Sequence, residues 1–200
     1  MGSETEDMII AMASIVLAFA IVFWGPGVFF EQNLIPKLAI VLFTVGIGFI
    51  SHELGHKWMA ERHGARARFI VWKEGLFLMF ILAFFIRIIF AAPGAVYIFK
   101  NYMTKKENGI ISLTGPAINM ALWLFFVCIL LGSSILSINL TQIVKEIAIF
   151  GMNINALLAV FNLLPIFILD GAKVFNWDKG IWAVAFVIAL AMMFSGGLIV

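Results

Sequence analysis

The chain alternates between long apolar segments and short polar breaks. An α-helix rises 1.5 Å per residue, so about 20 mostly apolar residues are needed to cross the core of a bilayer. We predict an all-α integral membrane protein, a polytopic helical bundle of about five to six transmembrane helices with a small β-strand or re-entrant element. The predicted helices cover Met8 to Trp24, Leu38 to about Glu61, Ile110 to Leu131, Ile143 to Leu164 and Ile181 to Val200.

Two stretches between these helices have other patterns. Residues Ala65 to Trp72 alternate between polar and apolar positions with a period of two, which predicts a half-exposed strand. Residues Leu76 to Phe99 are long enough to cross a membrane but carry Arg87 near the middle and Pro93-Gly94 near the end. We therefore predict that this second stretch is re-entrant or interfacial and does not span the membrane.

Composition supports a membrane protein. Of the 200 residues, 64% are hydrophobic and only 12% are charged, whereas soluble domains have about a quarter of their residues charged. A net charge of +2 is too small to indicate a nucleic-acid partner, and the single cysteine excludes an intrachain disulfide. We expect the lipid bilayer as a partner, and no appended soluble domain within this length.

The basic residues predict an orientation. If Leu76 to Phe99 does not cross, most of them fall on one side, which the positive-inside rule assigns to the cytoplasm. We expect a protein of the cell membrane with a cytoplasmic N-terminus. The acidic stretch Met1 to Asp7 lacks the basic region of a cleavable signal peptide, so we expect the first helix to be retained. The residues on the basic side are Lys57, Arg62, Arg66, Arg68, Lys73, Lys100, Lys105, Lys106, Lys173 and Lys179.

The second helix carries the sequence His52-Glu53-Leu54-Gly55-His56. Residues four apart share a helix face, so His52 and His56 can aim their rings at one metal ion while Glu53 handles a proton beside them. Two histidines at this spacing can also be hydrogen-bonded core residues. However, the chain has only three histidines, and ionisable residues in an apolar span cost about 2.5 kcal/mol or more and mark functional sites. The pattern favours zinc-assisted hydrolysis.

A hydrolytic zinc site needs a third protein ligand, since zinc there takes three side chains and a water molecule. His63 would lie about 10 Å beyond His56 along the helix, and no glycine between them permits a turn. Asp170 follows an apolar helix broken by Pro165, which lets the chain bend back into the bundle. The Asp-Gly pair is also an ordinary turn, so the local pattern leaves both interpretations of Asp170 open.

Three motifs in this order resemble the site-2 protease family of intramembrane zinc metalloproteases. They are His52 to His56, then Gly115-Pro116-Ala117-Ile118-Asn119, then Asn162 to Gly171 with Pro165 and Leu169-Asp170-Gly171 inside it. The resemblance implies one metalloprotease domain over residues 1–200 that binds Zn²⁺ and cleaves transmembrane protein substrates in regulated intramembrane proteolysis. It implies His52, His56 and Asp170 as zinc ligands, Glu53 as general base, and Asn119 and Asn162 as polar catalytic residues.

The chain also departs from the family pattern. Members often have a second proline just before Leu-Asp-Gly and a second glycine after it, where this chain has Ile168 and Ala172. We therefore expect the backbone near Asp170 to differ while the ligand is kept. The chain also has no room for the PDZ or CBS modules of many relatives.

Other functions stay open from the sequence. A membrane zinc protease that cuts soluble or surface peptides would use a glutamate as third ligand, and Glu146 is the best-placed one after Glu107. A non-enzymatic metal-binding membrane protein or transporter would not need Glu53. For a protease of transmembrane helices, an edge strand over Ala91 to Ile98 is a candidate for capturing the unwound substrate, with a plain re-entrant loop as the alternative.

Overall fold

The computed structural model describes residues 2–89, 92–166 and 168–199, and the side chains among them up to residue 196. Within these ranges the chain forms eight α-helices and two β-strands. A 3₁₀ turn at Pro26–Phe30 follows the first helix, and a π-helical turn at Leu42–Gly46 joins the second to the third. The elements are α1 Glu4–Trp24, α2 Leu34–Val41, α3 Ile47–Arg62, β1 Arg66–Val71, α4 Lys73–Phe85, β2 Gly94–Phe99, α5 Lys105–Ile135, α6 Gln142–Asn162, α7 Asp170–Trp177 and α8 Lys179–Ile199.

In the part of the chain that the structure describes, five helical segments are long and apolar enough to cross a membrane, which confirms the predicted fold class. Because α2, the π-helical turn and α3 are continuous, Leu34–Arg62 counts as one segment of 29 residues. Helix α4 has 13 residues, or about 20 Å, and is too short to cross. Its neighbours Phe90 and Ala91 lie outside the described residues. The five segments are Glu4–Trp24, Leu34–Arg62, Lys105–Ile135, Gln142–Asn162 and Lys179–Gly196.

Two of these helices begin earlier than their apolar runs because polar residues cap them. The Ser3 hydroxyl accepts from the Glu6 amide while the Glu6 carboxylate accepts from the Ser3 amide. Thr104 and Glu107 make the same reciprocal pair at the start of α5. Such capping boxes satisfy amides that the first helical turn leaves unpaired, so each helix extends into polar sequence.

The two strands form an antiparallel hairpin-like sheet in which Phe69 lies opposite Val96. The amide of Phe69 donates to Glu4 on α1, and the amide of Val96 donates to Glu53 on α3. Because both amides point away from the partner strand, this is a non-hydrogen-bonded pair of the ladder. The outer edge of β2 therefore faces the helix that carries the histidines. Strand β1 confirms the strand predicted over Ala65 to Trp72.

Contacts along the helices define their directions. Asn119 of α5 contacts Gly48 of α3, while Ile111, earlier on α5, contacts His56, later on α3, so these helices run antiparallel.

Asn119 also contacts Asn155 of α6, while Phe126, later on α5, packs against Gly151, earlier on α6. Helix α6 is therefore antiparallel to α5 and parallel to α3. Helix α5 thus lies between two helices that both end near the same face of the bundle.

Charged residues gather at that end. Lys57 on α3 pairs with Glu4 on α1 at 2.7 Å, and Lys100 pairs with Glu107 at the start of α5 at 2.6 Å. At the opposite end, Lys37 lies over the Trp24 ring, 5.3 Å from its centroid. The sheet, the start of α5 and the end of α3 therefore share one end of the bundle.

The π-helical turn at Leu42–Gly46 was not predicted. Within it, the Thr44 hydroxyl donates to the Ile40 carbonyl at 2.7 Å. A π turn inserts one extra residue and rotates the face that the following helix presents, and such turns are frequent at functional sites. Here the turn lies immediately before α3 and helps set the direction in which its histidines point.

Candidate metal centre

His52 and His56 lie one turn apart on α3, and both are buried. Their Nε2 atoms are 3.0 Å apart. Oδ2 of Asp170, the first residue of α7, lies 3.0 Å from Nε2 of His56 and 3.2 Å from Nε2 of His52. Three potential ligand atoms therefore form a nearly equilateral triangle inside the bundle, with Asp170 114 positions after His56 in the chain.

The size of this triangle fits zinc. Tetrahedral Zn²⁺ with ligand bonds of about 2.0 to 2.1 Å separates its ligand atoms by about 3.3 Å. The observed separations of 3.0 to 3.2 Å are close to that value. All three residues also line a cavity, from which a water molecule or a substrate could reach a bound ion.

Hydrogen bonds from the other ring nitrogens support the same conclusion. Nδ1 of His56 lies 2.8 Å from the Ile111 carbonyl, and Nδ1 of His52 lies 2.7 Å from Oδ1 of Asn119. A carbonyl oxygen can only accept, so each Nδ1 carries a proton, and each ring in its neutral form offers an Nε2 lone pair to a metal. Two lone pairs and a carboxylate oxygen at this spacing repel one another unless a cation or a proton lies among them.

Close packing brings Asp170 to the histidines. Helix α6 ends at Asn162, and the chain turns through Pro165 into α7. A Cβ atom at Gly171 would lie 2.1 Å from the Leu163 carbonyl oxygen, so only glycine permits α7 to start this close to the end of α6. Lys173 donates to Oδ1 of Asp170 at 3.2 Å, which leaves Oδ2 directed at the histidines. Phe167, in the middle of this turn, lies outside the described residues.

Gly115 brings α5 against the metal triangle. A Cβ atom there would lie 2.5 Å from Nε2 of His56 and 2.6 Å from Nε2 of His52. Any side chain at this position would clash with both ring nitrogens that bind the metal. The glycine of the second motif is therefore explained by the close approach of α5 to the two histidines.

Glu53 lies beside the histidines but faces the sheet. Its Oε2 accepts a hydrogen bond of 2.9 Å from the Val96 amide on the outer edge of β2. Glu53 is half-buried and lines two neighbouring cavities, which also share His52, Ala92 and Asn162. The carboxylate is thus accessible from the space where a substrate would reach the metal.

The two cavities differ in character. One, of about 160 Å³, is lined by the metal triangle, the outer edge of β2 and polar residues that include Ser112 and Lys173. The other, of about 350 Å³, is lined mainly by apolar side chains such as Phe19, Phe49 and Leu157. They meet at His52 and Glu53, so a chain lying across the metal would have a polar side and an apolar side.

The two predicted asparagines have different surroundings. Asn119 is fully buried, with its oxygen on His52 and its nitrogen shared between the Gly48 carbonyl and Oδ1 of Asn155. Asn162 is half-buried at the junction of the cavities and donates to the Leu158 carbonyl, one turn back, at 3.0 Å. Both asparagines line the apolar cavity, but Asn119 is 0% exposed and its polar atoms are already bonded. A catalytic role for either stays a prediction.

Asn155 is a site residue that sequence reasoning missed. Its side chain is 0% exposed, in the middle of α6, and contacts Asn119. An amide within an apolar helix is a sequence signal for a buried hydrogen bond, and Asn155 carried that signal.

The alternative third ligands lie elsewhere. Nδ1 of His63 donates to the Met59 carbonyl at the end of α3, at 2.9 Å. Glu146 accepts from Gln142 in the first turns of α6, whereas Asp170 lies beyond the far end of that helix. Among the described residues, His52, His56 and Asp170 form the group that could hold a metal ion.

Comparison with known proteins identifies the family. The chain is 44% identical, over 181 residues, to a Methanocaldococcus jannaschii protein named "Putative zinc metalloprotease MJ0611". The alignment covers 90% of this chain and 89% of the relative. The chain belongs to this zinc metalloprotease family. No protein-family model and no solved structure matches the chain.

Family membership and geometry agree on the cofactor of this zinc metalloprotease. The relative's name specifies zinc, and the triangle of two imidazole nitrogens and one carboxylate oxygen suits zinc in donor type and size. The cofactor is therefore Zn²⁺.

Proposed function

We propose that this chain is an intramembrane metalloprotease of the site-2 protease type, a single domain that hydrolyses peptide bonds of transmembrane-helix substrates within the bilayer. The observation that carries this proposal is that the metal triangle lies between helices long and apolar enough to span a membrane. A site at that depth would act on substrates that enter the membrane.

Residues on the outer face of α3 indicate that depth. Trp58 is 49% exposed, and the Arg62 guanidinium lies over its ring, 4.2 Å from the centroid. Tryptophan beside arginine is typical of the membrane–water interface. At 1.5 Å per residue, His56 and His52 lie about 3 and 9 Å deeper along the helix. Leu54, between them, is 41% exposed on the outer face, as expected for a lipid contact.

The residues would divide the chemistry as follows. His52, His56 and Asp170 hold zinc, which when bound supplies the Lewis acidity that activates water for attack on a peptide carbonyl. Glu53 takes the proton from the attacking water and delivers it to the departing amine. Asn162 has a second amide hydrogen in addition to the one bound to Leu158, and this can stabilise negative charge on the carbonyl oxygen. Asn119 accepts a hydrogen bond from Nδ1 of His52 and so orients its ring.

The outer edge of β2 is suited to present the substrate. A helical substrate hides its carbonyls in its own hydrogen bonds and must be unwound before cleavage. The edge of β2 faces the cavity that contains the metal triangle, and the amide of Val96 on that edge already bonds a carboxylate oxygen. An unwound segment can add to this edge as a third strand, which holds its backbone beside Glu53.

The apolar cavity supports a hydrophobic substrate. Its volume of about 350 Å³ accommodates a large aliphatic or aromatic side chain, and it opens directly beside His52 and Glu53. A bulky apolar residue next to the cleaved bond would bury its surface there. Transmembrane segments supply such residues at almost every position.

The charged end of the bundle is assigned to the cytoplasm of the cell membrane, as the positive-inside rule predicts. The N-terminus would then be cytoplasmic and the loop between α5 and α6 external. A topology reporter fused at Ser134 should give an external signal, and a cytoplasmic signal would reverse the orientation.

The rival functions have less support. A protease with a glutamate as third ligand requires an acid other than Asp170, and Glu146 lies at the wrong end of α6. A metal carrier has no use for Glu53 at the junction of two cavities. Oligomeric assembly is not needed to complete the metal triangle, which one chain supplies.

The deciding experiment measures cleavage of a model transmembrane substrate in proteoliposomes together with bound zinc. Glu53→Gln should keep zinc and lose turnover, whereas Asp170→Ala should lose both. Cleavage by Glu53→Gln at the wild-type rate would refute the proposed base. Cleavage of a soluble peptide in preference to the membrane substrate would refute the proposed site of action.

A further inference from the structure

Three helices are joined by a chain of hydrogen bonds that ends on His52. On α6, Nδ2 of Asn155 donates to the Gly151 carbonyl at 2.9 Å. Oδ1 of Asn155 accepts from Nδ2 of Asn119 on α5 at 3.0 Å. Oδ1 of Asn119 accepts from Nδ1 of His52 on α3 at 2.7 Å. Both asparagine side chains are 0% exposed.

The direction of this chain is determined by backbone carbonyls, which cannot donate. The Gly151 carbonyl requires the nitrogen of Asn155, so its oxygen faces Asn119. The Gly48 carbonyl, 3.2 Å from Nδ2 of Asn119, likewise requires a nitrogen. Neither amide can flip without placing oxygen against oxygen. The oxygen of Asn119 must therefore face His52, and the proton of His52 must lie on Nδ1.

We propose that Asn155 is a positioning residue for the metal site, acting through Asn119 to hold His52 with Nδ1 protonated and Nε2 directed at zinc. The inference rests on the proposed function only in taking His52 as a zinc ligand. Proteolysis itself, and the nature of the substrate, do not enter it.

The partners that orient the two histidines differ, and this difference explains the need for Asn155. His56 is oriented by a main-chain carbonyl, that of Ile111, which its helix holds in place. His52 is oriented by a side-chain amide, which can rotate about its own bonds. Asn155 and Gly48 remove that freedom from Asn119 by occupying its nitrogen from two sides.

Packing at Gly48 is consistent with this role, because it allows Asn155 to approach α3 closely. A Cβ atom at Gly48 would lie 2.7 Å from Oδ1 of Asn155, closer than a side chain allows. Glycine at this position therefore permits α6 to bring its asparagine against α3 and α5.

The experiment compares Asn155→Leu with Asn153→Leu. Asn153 lies on the exposed face of the same helix and makes the same local bond, from Nδ2 to the carbonyl four residues back, at 2.9 Å. Partners that orient ligands typically account for about ten- to hundred-fold in metal affinity. We expect Asn155→Leu to weaken zinc binding by about this factor in chelator competition, and Asn153→Leu to leave it unchanged. The cobalt-substituted protein should show an altered visible spectrum only for Asn155→Leu.

A double-mutant cycle tests the route through Asn119. If Asn155 acts through Asn119, Asn155→Leu should cause no further loss of zinc affinity in the Asn119→Leu background. Asn155→Asp, as the neutral acid, can donate to the Gly151 carbonyl and accept from Asn119, so it should restore the zinc affinity lost in Asn155→Leu. This variant also provides the test if Asn155→Leu does not fold. Wild-type affinity and spectrum in Asn155→Leu, failure of Asn155→Asp to restore binding, or additive losses in the cycle would overturn the inference.

These outcomes are separate from those of the proposed function. Zinc affinity and the cobalt spectrum are measured without substrate, so the inference can hold for a chain that fails to cut transmembrane helices. Conversely, if the protein cleaves transmembrane substrates but Asn155→Leu binds zinc normally, the proposed function would stand and this inference would be refuted.

Discussion

The cavity that contains the metal triangle has two sides of different composition, which we call the metal wall and the sheet wall. The metal wall, on α3, α5, α6 and α7, consists of buried polar side chains whose positions depend on glycines at close approaches. The sheet wall is the outer edge of β2, which offers main-chain groups, and side chains along the strand alternate between covered and exposed positions. One wall depends on which side chains are present, and the other depends mainly on backbone shape.

This difference has a physical basis. Holding a metal requires lone pairs placed to within a few tenths of an ångström, which only interlocked side chains achieve. Holding an unwound peptide of varied sequence requires contacts with the backbone that all peptides share. Substitutions should therefore be severe in the metal wall and mild on the exposed side of β2.

The largest expected effect comes from Gly115→Ala. The new methyl group would lie 2.5 and 2.6 Å from the two Nε2 atoms, so the imidazole rings that bind the metal would have to move. We expect zinc content, measured by atomic absorption on purified protein, to fall below detection, and proteolysis to cease. Gly132→Ala on the same helix is the control, because nothing lies within 4 Å of a Cβ atom there. Stoichiometric zinc in Gly115→Ala would show that the assigned metal position is wrong.

Val96→Pro should have the next largest effect, and it tests the sheet wall. Proline removes the amide that faces Glu53 but none that pairs with β1, so the sheet should remain. We expect kcat/KM for a transmembrane substrate to fall about two- to thirteen-fold, the equivalent of one hydrogen bond, with zinc content unchanged.

Ala95→Pro is the matched control for that change, since the amide of Ala95 points toward β1 in the alternating ladder. It should lower the thermal unfolding temperature, whereas Val96→Pro should not. Undiminished cleavage by Val96→Pro would argue against strand addition at this edge.

Lys173→Met should have a smaller effect on the metal wall. The Lys173 ammonium contacts Oδ1 of Asp170 at 3.2 Å but is 40% exposed, and exposed ion pairs contribute about 0.2 to 1 kcal/mol. Zinc affinity should fall less than about five-fold by chelator competition, and Lys173→Arg should restore it. A loss as large as that of Asp170→Ala would give Lys173 a direct role at the metal.

The smallest effect is expected for Tyr97→Thr on β2. The tyrosine side chain is half-exposed, and threonine keeps the preference for a strand, so stability should change by less than about 0.5 kcal/mol. Cleavage rates for several substrates should stay within about two-fold of wild type. A large loss for all substrates would mean that this strand recognises its ligand through side chains after all.

Much of the fold could be predicted because the signals are local. Apolar runs predicted the helices Gln142–Asn162 and Lys179–Ile199 to within two residues at their starts. The early start of α5 was missed although Thr104 and Glu107 carry a capping signal. Helix α7 was missed because its eight residues are too few for a periodic pattern to stand out.

The metal site also contains residues that local sequence patterns predict and residues that only packing brings together. His52, Glu53 and His56 share a single helical turn, so their spacing alone brings them together. Asn155 could be recognised as a buried polar residue, but its partner Asn119 lies 36 positions away and no local pattern connects them. The contact from Glu53 to Val96 likewise depends on where the sheet packs.

The sequence by itself determined a set of helices long enough to span a membrane. It also determined that one of them carries two histidines with a glutamate beside them, and that Pro165 ends a helix shortly before Asp170. These follow from hydrophobicity, helical periodicity and the geometry of proline, which act over a few residues. Only the tertiary structure decided that Asp170 completes the triangle, that Gly115 lets α5 approach the two histidines, and that Asn119 is held by Asn155. Those outcomes depend on how closely helices distant in sequence approach one another, which is determined by packing of the whole bundle.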